Sequence, residues 1–258
     1  MNHLVIAVSK DSSLELLRKH ADVIVLDKEL PPTSLRIYES VYIRSHFSTP
    51  ALMPQNFRDE IEKLVNLSRL ENPRLRFIDN MSTVDEIVAF EDKWNQYEKF
   101  SDFMPLTKVL HSTEDASGFT RPIFKKRLSS RGAGVTWDSN EVTGVLGDWI
   151  IQESLNIVEE KRVYVINGKV YPVGALRRSM TDEQKTHAVD SCKLSMDETV
   201  FAANIAKKTP ELDMIGLDIA RTADDKLFLI EVNRSPGFGA FEKLTGANLA
   251  DILYRESV

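Results

Sequence analysis

Two apolar segments near the C-terminus constrain the fold of this chain more than any other feature. The segments MIGLDIAR (214–221) and KLFLIEVN (226–233) have the length of strands, and turn-forming residues join them, so they predict an antiparallel hairpin. Glu231 and Asn233 are two residues apart and project from one face of their strand, while Asp218 lies on the preceding strand. We expect the oxygen atoms of these three side chains to converge.

The apolar residues that flank the two carboxylates indicate that they belong to a functional site. Asp218 and Glu231 stand inside the apolar runs GLDIA and LFLIEVN, where burying an unpaired carboxylate is costly. Carboxylate and amide oxygens suit Mg²⁺, which is usually shared with substrate phosphates, whereas zinc prefers histidine or cysteine. The alternative is a solvated acidic face beside a turn, which the apolar flanks disfavour. We therefore predict a magnesium site.

Strands and helices alternate in the first 80 residues. The runs LVIAVS and DVIVLD flank LELLRKH, which Ser12 and Glu15 are predicted to cap as a helix, and this order forms a βαβ unit. A further strand at 41–45 and a helix at 57–70 follow. The alternation predicts a parallel sheet that is covered on both faces. The loop SKDSS after the first strand lacks the glycine-rich dinucleotide fingerprint, so it gives no reason to place NAD there.

From residue 81 onwards the pattern becomes that of an antiparallel structure. Ser82 and Asp85 are predicted to cap a helix that runs through DEIVAFEDKWNQYEKF and ends before Pro105. The segments RVYVI and KVYPVGALRR are separated by Asn167 and Gly168, which both tolerate the positive φ of a type I′ turn. These signals predict an antiparallel sheet in the C-terminal part of the chain.

Composition excludes several classes of protein. The 258 residues include 33 Lys and Arg against 39 Asp and Glu, and the net charge of −6 disfavours binding to nucleic-acid phosphates. An apolar fraction of 42% is typical of a globular chain. The single cysteine, Cys192, cannot form an internal disulfide, and no segment approaches the roughly 20 apolar residues of a membrane span. We expect a soluble, cytoplasmic protein with no nucleic-acid or membrane partner.

The segment SSRGAG at 129–134 is a candidate phosphate-binding loop. Its small residues let backbone amides approach phosphate oxygens, and Lys125 and Lys126 lie just upstream. The order is the reverse of a P-loop, and a strand follows it, so the phosphate would lie under a hairpin flap. The alternative is an ordinary glycine-rich hairpin.

Charged residues elsewhere could serve the same site. Arginines on strands can bind phosphate oxygens in a bidentate manner, and glutamates can accept hydrogen bonds from an adenine amine or from ribose hydroxyls. Each of these residues is also plausible as an ordinary solvated side chain. The basic candidates are Lys93, Lys125, Arg162, Arg177 and Arg178, and the acidic ones are Glu153 and Glu160.

Five segments after residue 81 follow one another in a recognisable order: EDKW, PIFKKRLSSRGAGV, IIQESL, EKRVYVINGKVYPVGALRRS and GLDIARTADDKLFLIEVNRSPGFGAFEKLTGANLADIL. They resemble the motifs of the ATP-grasp superfamily of carboxylate-amine ligases, and most closely its RimK-type branch. The last segment, 216–253, is the most specific, since it is similar to the family's G-[VL]-D-[IL] strand and E-V-N-x-S-P-G strand end. Over the first 80 residues only the layout is similar.

The resemblance implies an α/β (α+β) fold of the ATP-grasp type. A Rossmann-like pre-ATP-grasp lobe would occupy residues 1–80, and the ATP-grasp domain would occupy 81–258. Within that domain, a flap subdomain at 81–154 and a C-terminal subdomain at 155–258, which holds the magnesium site, would clamp the nucleotide between them.

The resemblance also implies roles for individual residues, with ATP as the nucleotide and Mg²⁺ as the metal, Mn²⁺ being the alternative ion. The expected metal ligands are Asp218, Glu231 and Asn233. The expected catalytic cations are Lys125, Arg162 and Arg178. The expected nucleotide-binding residues are Lys93 and Lys125, the flap residues Ser129, Ser130, Gly132 and Gly134, the hinge residues Gln152, Glu153, Ser154 and Leu155, and the ribose contact Glu160.

The implied activity is that of an ATP-dependent ligase. Such an enzyme activates a carboxylate as an acyl phosphate and couples it to an amine, with release of ADP and phosphate. The alternatives are an ATP-grasp phosphotransferase and a non-catalytic nucleotide-binding module. We expect an amino acid, a peptide or a protein as the substrate, and a homo-oligomer as an alternative to a single chain. Arg44 and Arg234 are candidate anchors for a substrate carboxylate, and are equally plausible as surface arginines.

Overall fold

The computed structural model describes residues 2–7, 12–26, 32, 34–44, 55–79, 83–129, 133–177 and 188–255. These residues form a mixed α/β structure with three sheets, which confirms the predicted fold class. No helix within the described ranges is long and apolar enough to cross a membrane.

The first sheet is parallel and has the strand order β2-β1-β3-β4. Its strands are β1 (His3–Ala7), β2 (Asp22–Val25), β3 (Ser40–Arg44) and β4 (Arg76–Phe77), and its helices are α1 (Leu14–Leu17) and α2 (Gln55–Glu71). Leu4 and Ile6 pack on the side of α2, whereas Val5 and Ala7 pack on the side of α1. The prediction that both faces of this sheet are covered is therefore confirmed.

The second and third sheets are antiparallel. The second, with order β5-β8-β6-β7, contains β5 (Thr107–Val109), β6 (Pro122–Lys126), β7 (Val135–Thr136) and β8 (Trp149–Glu153). The third has the order β12-β11-β9-β13-β14, and β10 also pairs with β9. Its strands are β9 (Ile157–Ile166), β10 (Lys169–Val170), β11 (Val173–Arg177), β12 (Ala188–Lys193), β13 (Met214–Thr222) and β14 (Leu227–Asn233).

The turn between β9 and β10 has the conformation that its residues predict. Asn167 and Gly168 both have positive φ, at 50° and 75°, as a type I′ turn requires. The boundaries that we predict at residues 80 and 154 stay predictions, and each lies between two consecutive sheets along the chain.

Two predicted helices differ from those in the structure. The helix expected through 85–100 is divided into α3 (Val84–Glu91) and α4 (Lys93–Phe100), because the Asp92 carboxylate accepts hydrogen bonds from the backbone N–H of Trp94 and Asn95 and so starts a new helix. Thr83, not Ser82, is the N-cap of α3, and Ser82 lies outside the described residues.

The capping box predicted for α1 is also wrong. The residue before α1 is Ser13, which makes no side-chain cap to its own helix. Its hydroxyl instead accepts hydrogen bonds from the backbone N–H of Phe238 and Gly239, near the start of α6 (Gly239–Thr245). The remaining helices are α5 (Met196–Ala206) and α7 (Leu249–Arg255). Ser13, the neighbour of the predicted cap Ser12, therefore joins the start of α1 to the start of α6.

One large core unites the first and third sheets. Leu4 and Ile6 of β1 belong to the same buried cluster as Leu217 and Ile219 of β13. The second sheet has a smaller core of its own, built from Leu110, Phe119, Phe124, Trp149 and Ile151. The second sheet therefore packs around a separate, smaller core.

Candidate active site

The hairpin β13–β14 brings the three predicted metal ligands to one face of the third sheet. Asp218 lies directly opposite Glu231, and Asn233 lies opposite Gly216, two residues along the same strand. Residues opposite one another in antiparallel strands share a face. The Asn233 amide nitrogen is 3.4 Å from Oδ2 of Asp218, which places those two side chains in contact.

Two arginines meet at the Asp218 carboxylate. Arg162, opposite Asp218 on β9, donates from Nε and Nη2 to the two carboxylate oxygens, both at 2.7 Å. Arg177 of β11 donates from Nη1 to Oδ2 of Asp218 at 2.5 Å and to Glu160 at 3.0 Å. Burial alone would raise the pKa of Asp218, but the charges and hydrogen bonds of the two arginines hold it below its usual value. The carboxylate is therefore ionised and fixes both guanidinium groups.

The pKa of Glu160 is shifted in the opposite direction from that of Asp218. Its burial and its proximity to the Asp218 carboxylate raise its pKa, against the lowering effect of Arg177 and Arg162. The predicted ribose contact therefore sits within the arginine cluster, where Arg177 already holds its Oε1.

The predicted clamp Arg178 lies outside the described residues, and its neighbour Arg177 forms an ion pair with Asp218. Arg177 is opposite Glu160 in the β9–β11 register, so its side chain points to the face that carries Asp218. The sequence motif contains both arginines, but it does not indicate which of them points to this face.

The two predicted lysines lie on elements that face this sheet. Lys125 of β6 donates to the Gln152 amide oxygen at 2.7 Å. Burial, and then repulsion from Lys93, lower the pKa of Lys125 to about 8, while Glu231 and Glu160 act in the opposite direction. Because both carboxylates act on its charge, the Lys125 amine lies near them. Carboxylates of the third sheet and a lysine of the second sheet therefore belong to one candidate site.

Lys93 is held against the flap. It is the first residue of α4, and its amine donates to the Ser129 backbone oxygen at 2.6 Å and to the Ser129 hydroxyl at 3.1 Å. The N-cap of that helix, Asp92, forms an ion pair with Arg127 at 2.8 Å. These contacts fix the start of α4 to the segment that follows β6.

Part of the flap is described. Gly134 has a φ of +66°, and a Cβ there would lie 2.8 Å from Cγ of Lys126, so both the conformation and the space require glycine. The predicted flap residues Ser130 and Gly132 lie outside the described residues.

The hinge residues are engaged mainly with their own sheet. The Glu153 carboxylate accepts hydrogen bonds from the backbone N–H of Thr120 and Arg121, both at 3.0 Å. The backbone N–H of Ser154 donates to the Arg121 carbonyl, and Leu155 is half-buried just beyond the end of β8. The Glu153 side chain, at the end of β8, thus binds the backbone that directly precedes β6 in this structure.

The side chains present suit Mg²⁺ and a nucleotide phosphate. Glu231 accepts no hydrogen bond and forms no ion pair in the described part of the chain, so its carboxylate oxygens are available to a cation. No cluster of three or more acidic, histidine or cysteine side chains in that part is placed to hold a metal ion. The set of two carboxylates and the Asn233 amide stays a prediction. Mg²⁺ is often bound by one or two carboxylates together with water and phosphate oxygens. The residues fit such an ion by their chemistry.

Neither alternative proposed for Arg44 and Arg234 is correct. They are only 4% and 2% exposed, so they are neither surface arginines nor open anchors. Arg234 forms ion pairs with Asp79 and Glu91 and donates to the Ile43 carbonyl at 2.6 Å. Arg44 donates to the Pro236 carbonyl at 2.5 Å. Together they join the first sheet to the segment that directly follows Asn233.

Gln96 helps to position the elements of the site, and no sequence motif indicated this role. Its amide accepts from the backbone N–H of Val232 at 3.0 Å and donates to the Val232 carbonyl at 2.9 Å, as a neighbouring strand would. Gln96 therefore fixes α4, which begins at Lys93, to the strand that carries Glu231. The only sequence signal is a glutamine on the helix face that also carries the buried Phe100.

A family model for the RimK-like ATP-grasp domain matches residues 116–256, more than half of the chain. The chain belongs to the RimK-like ATP-grasp family. This membership confirms the resemblance seen in the motifs, together with the ligase class and the use of ATP and Mg²⁺ that it implied. A comparison with curated proteins gives no match.

Solved structures of other ATP-grasp enzymes share the fold along the whole chain. The ligase PsnB in complex with a minimal precursor has a TM-score of 0.69 at 18% identity, with 99% of each chain covered. The D-cycloserine synthetase DcsG has a TM-score of 0.72 at 15% identity, again with 99% of each chain covered. The macrocyclase MdnC of Microcystis aeruginosa, bound to its precursor peptide MdnA, has a TM-score of 0.64 at 16% identity, with 99% and 100% covered. At these identities the likeness concerns the RimK-like ATP-grasp fold alone.

Proposed function

We propose that this chain joins a carboxylate of a peptide to an amine, using ATP to activate the carboxylate as an acyl phosphate. The observation that carries the proposal is the convergence of charged side chains from the second and third sheets, which would line the nucleotide cleft. On one side, Asp218, Glu231 and Asn233 share a face with two arginines. On the other side, the charge of Lys125 on the second sheet interacts with the carboxylates of Glu231 and Glu160.

The cations would reduce the main electrostatic repulsion in the reaction, which is between two anions. A carboxylate must approach the anionic γ-phosphate of ATP, and two unit charges about 4 Å apart repel by roughly 4 kcal/mol at an effective dielectric constant near 20. We assign Lys125, Arg162 and Arg177 to neutralise this repulsion, with Arg178 retained as a further candidate. Because Asp218 fixes two of the guanidinium groups before substrate enters, little reorganisation is needed when the charge develops.

Asp218, Glu231 and Asn233 would hold Mg²⁺, which when bound supplies further positive charge beside the phosphates. Asp218 would then serve both the metal and the arginines. Lys93 would contact the nucleotide from the flap side, together with Ser129, Ser130, Gly132 and Gly134. The hinge residues Gln152 to Leu155 and the carboxylate Glu160 complete the proposed nucleotide site.

A peptide is the substrate that the structural relatives favour. PsnB and MdnC are described in complex with precursor peptides, whereas DcsG makes a small molecule. An amino acid or a protein is the alternative substrate. A cytoplasmic location and a homo-oligomeric state stay predictions.

The test is a search for substrate-dependent ADP release. The protein, MgATP and a panel of peptides and amino acids would be followed by ADP detection and by mass spectrometry of the products. We expect ADP release that depends on substrate, together with a product that has lost one water and gained an amide. A phosphorylated product without an amide would instead identify a phosphotransferase, and MgATP binding without any ADP release would identify a nucleotide-binding module.

Two variants show whether the assay reports on this site. Asp218→Asn keeps the size of the side chain and removes its charge, so it should abolish product formation. Asp102→Asn is the matched control, because Asp102 is 75% exposed and pairs with Lys208 on the surface. Product formation that persists in Asp218→Asn at the wild-type rate would contradict the proposed site.

A further inference from the structure

A chain of three hydrogen bonds, of which the second and third are buried, leads away from Lys125. The Lys125 amine donates to Oε1 of Gln152 at 2.7 Å, Nε2 of Gln152 donates to the Thr107 hydroxyl at 2.8 Å, and that hydroxyl donates to the Pro105 carbonyl at 2.8 Å. Thr107 and Gln152 lie opposite each other on β5 and β8, and β6 pairs with the other side of β8. The chain thus crosses the second sheet from its edge to the lysine.

The chemistry of each group gives this chain a single direction. A carbonyl can only accept, so the Pro105 oxygen takes the one proton of the Thr107 hydroxyl. The hydroxyl oxygen can then only accept, and it therefore faces the amino group of the Gln152 amide. The amide oxygen must point the other way, towards Lys125. A reversed amide would set its N–H groups against an ammonium group, which has no lone pair to accept them.

The setting makes this orientation important for Lys125. Lys125 is half-buried, the charge of Lys93 repels its amine, and the carboxylates Glu231 and Glu160 attract it from the third sheet. An ammonium group has three N–H donors. The Gln152 oxygen engages one of them and thereby fixes the direction of the other two.

We propose that Thr107 is a positioning residue for nucleotide binding, which acts through the Gln152 amide to aim the Lys125 amine into the cleft. The inference rests on the proposed role of Lys125 in binding nucleotide. It also gives Gln152, predicted as a hinge contact to the nucleotide, a different task, because both ends of its amide are already engaged. Thr107 itself is not among the residues that we assign to the nucleotide or the metal.

The experiment is calorimetry of MgADP binding to the full chain and four variants. Thr107→Val keeps the shape of the side chain and removes the hydroxyl, and it should weaken the affinity about five- to tenfold, the effect of one lost hydrogen bond. Thr107→Ser keeps the hydroxyl and should remain within about twofold of wild type. Lys125→Ala should weaken binding, and adding Thr107→Val to it should cause no further loss, because the group that Thr107 positions is absent.

Thr209→Val is the matched control. Thr209 is as buried as Thr107, at 2% exposure, and its hydroxyl also donates to a backbone carbonyl, that of Ala206. It should lose stability without losing MgADP affinity. If Thr107→Val fails to fold, Gln152→Leu breaks the same chain at its next link and should show the same non-additivity with Lys125→Ala.

The outcomes separate the inference from the proposed function. Equal losses from Thr107→Val with and without Lys125 would show that Thr107 acts through packing, and would overturn the inference. Wild-type affinity in Thr107→Val would overturn it as well. Wild-type affinity in Lys125→Ala would remove the assigned role of Lys125 and, with it, that of Thr107. Absence of MgADP binding by the wild-type chain would refute the proposed function itself.

Discussion

Replacing Asp218 by asparagine tests the electrostatic centre of the molecule through stability alone. The Asp218 carboxylate is 3% exposed and accepts three guanidinium hydrogen bonds, two from Arg162 and one from Arg177. Asparagine has nearly the same volume, so the packing is conserved while the negative charge is lost. Two arginines, each less than one-fifth exposed, then lose the anion that they share, although Arg177 keeps its ion pair with Glu160.

The magnitude follows from the cost of leaving a buried charge without its partner. Removing one member of a buried ion pair typically costs about 3–5 kcal/mol. A globular domain has a free energy of unfolding of about 5–15 kcal/mol, so Asp218→Asn should remove a large part of it. With about 2–4 °C of Tm for each kcal/mol in a chain of this size, the Tm should fall by about 6–20 °C.

The assay is thermal and urea unfolding of the ligand-free protein, followed by circular dichroism. Asp102→Asn is the control, since its ion pair with Lys208 is exposed and should contribute at most about 1 kcal/mol. The Asp218→Asn variant should also be partly rescued when Arg177→Met removes one of the uncompensated charges. A loss below about 1 kcal/mol in Asp218→Asn would refute the view that this carboxylate holds the arginines.

Three further predictions concern the flap and the cations. Arg177→Ala should lower the rate of ADP release about 10²–10³-fold, as the loss of a charge-stabilising group does; a larger loss in Arg178→Ala would return the main role to that residue. Because the pKa of Lys125 is about 8, its positive charge is lost as the pH rises above that value. MgADP affinity measured by calorimetry should therefore fall between pH 7 and pH 9 in wild type, and the change should be absent in Lys125→Ala. Gly134→Ala should cost about 1–2 kcal/mol in urea unfolding, because it combines positive φ with a steric clash, whereas Gly147→Ala, with open space around it, should be neutral.

The parts of the fold that could be predicted are encoded by short stretches of sequence. The Asn167–Gly168 turn and the hairpin of β13 and β14 are each encoded within a few consecutive residues. The division of the helix at Asp92 is also local, since aspartate is a preferred N-cap residue. The prediction of a single helix was wrong because it gave more weight to the helical spacing of apolar residues than to Asp92 as an N-cap residue.

Contacts between distant residues could not be predicted in this way. Arg234 meets Asp79 across 155 positions and the Ile43 carbonyl across 191, so its neighbours in sequence contain no sign of burial. The position of Arg177 at Asp218 depends on the register of β9 and β11, with an irregularity in β11 at Leu176 and Arg177. A motif with two adjacent arginines does not encode that register.

The buried guanidinium of Arg234 has a consequence for engineering. An excised fragment that began at residue 81 would lack the Ile43 carbonyl and Asp79, and would keep Glu91 as an ion-pair partner of the Arg234 guanidinium directly after Asn233. The loss of Asp79 breaks a buried ion pair, which is costly. The N-terminal region is therefore not a detachable module. Chimeras that exchange it between homologous enzymes would need to transfer positions 43, 79 and 234 as one unit.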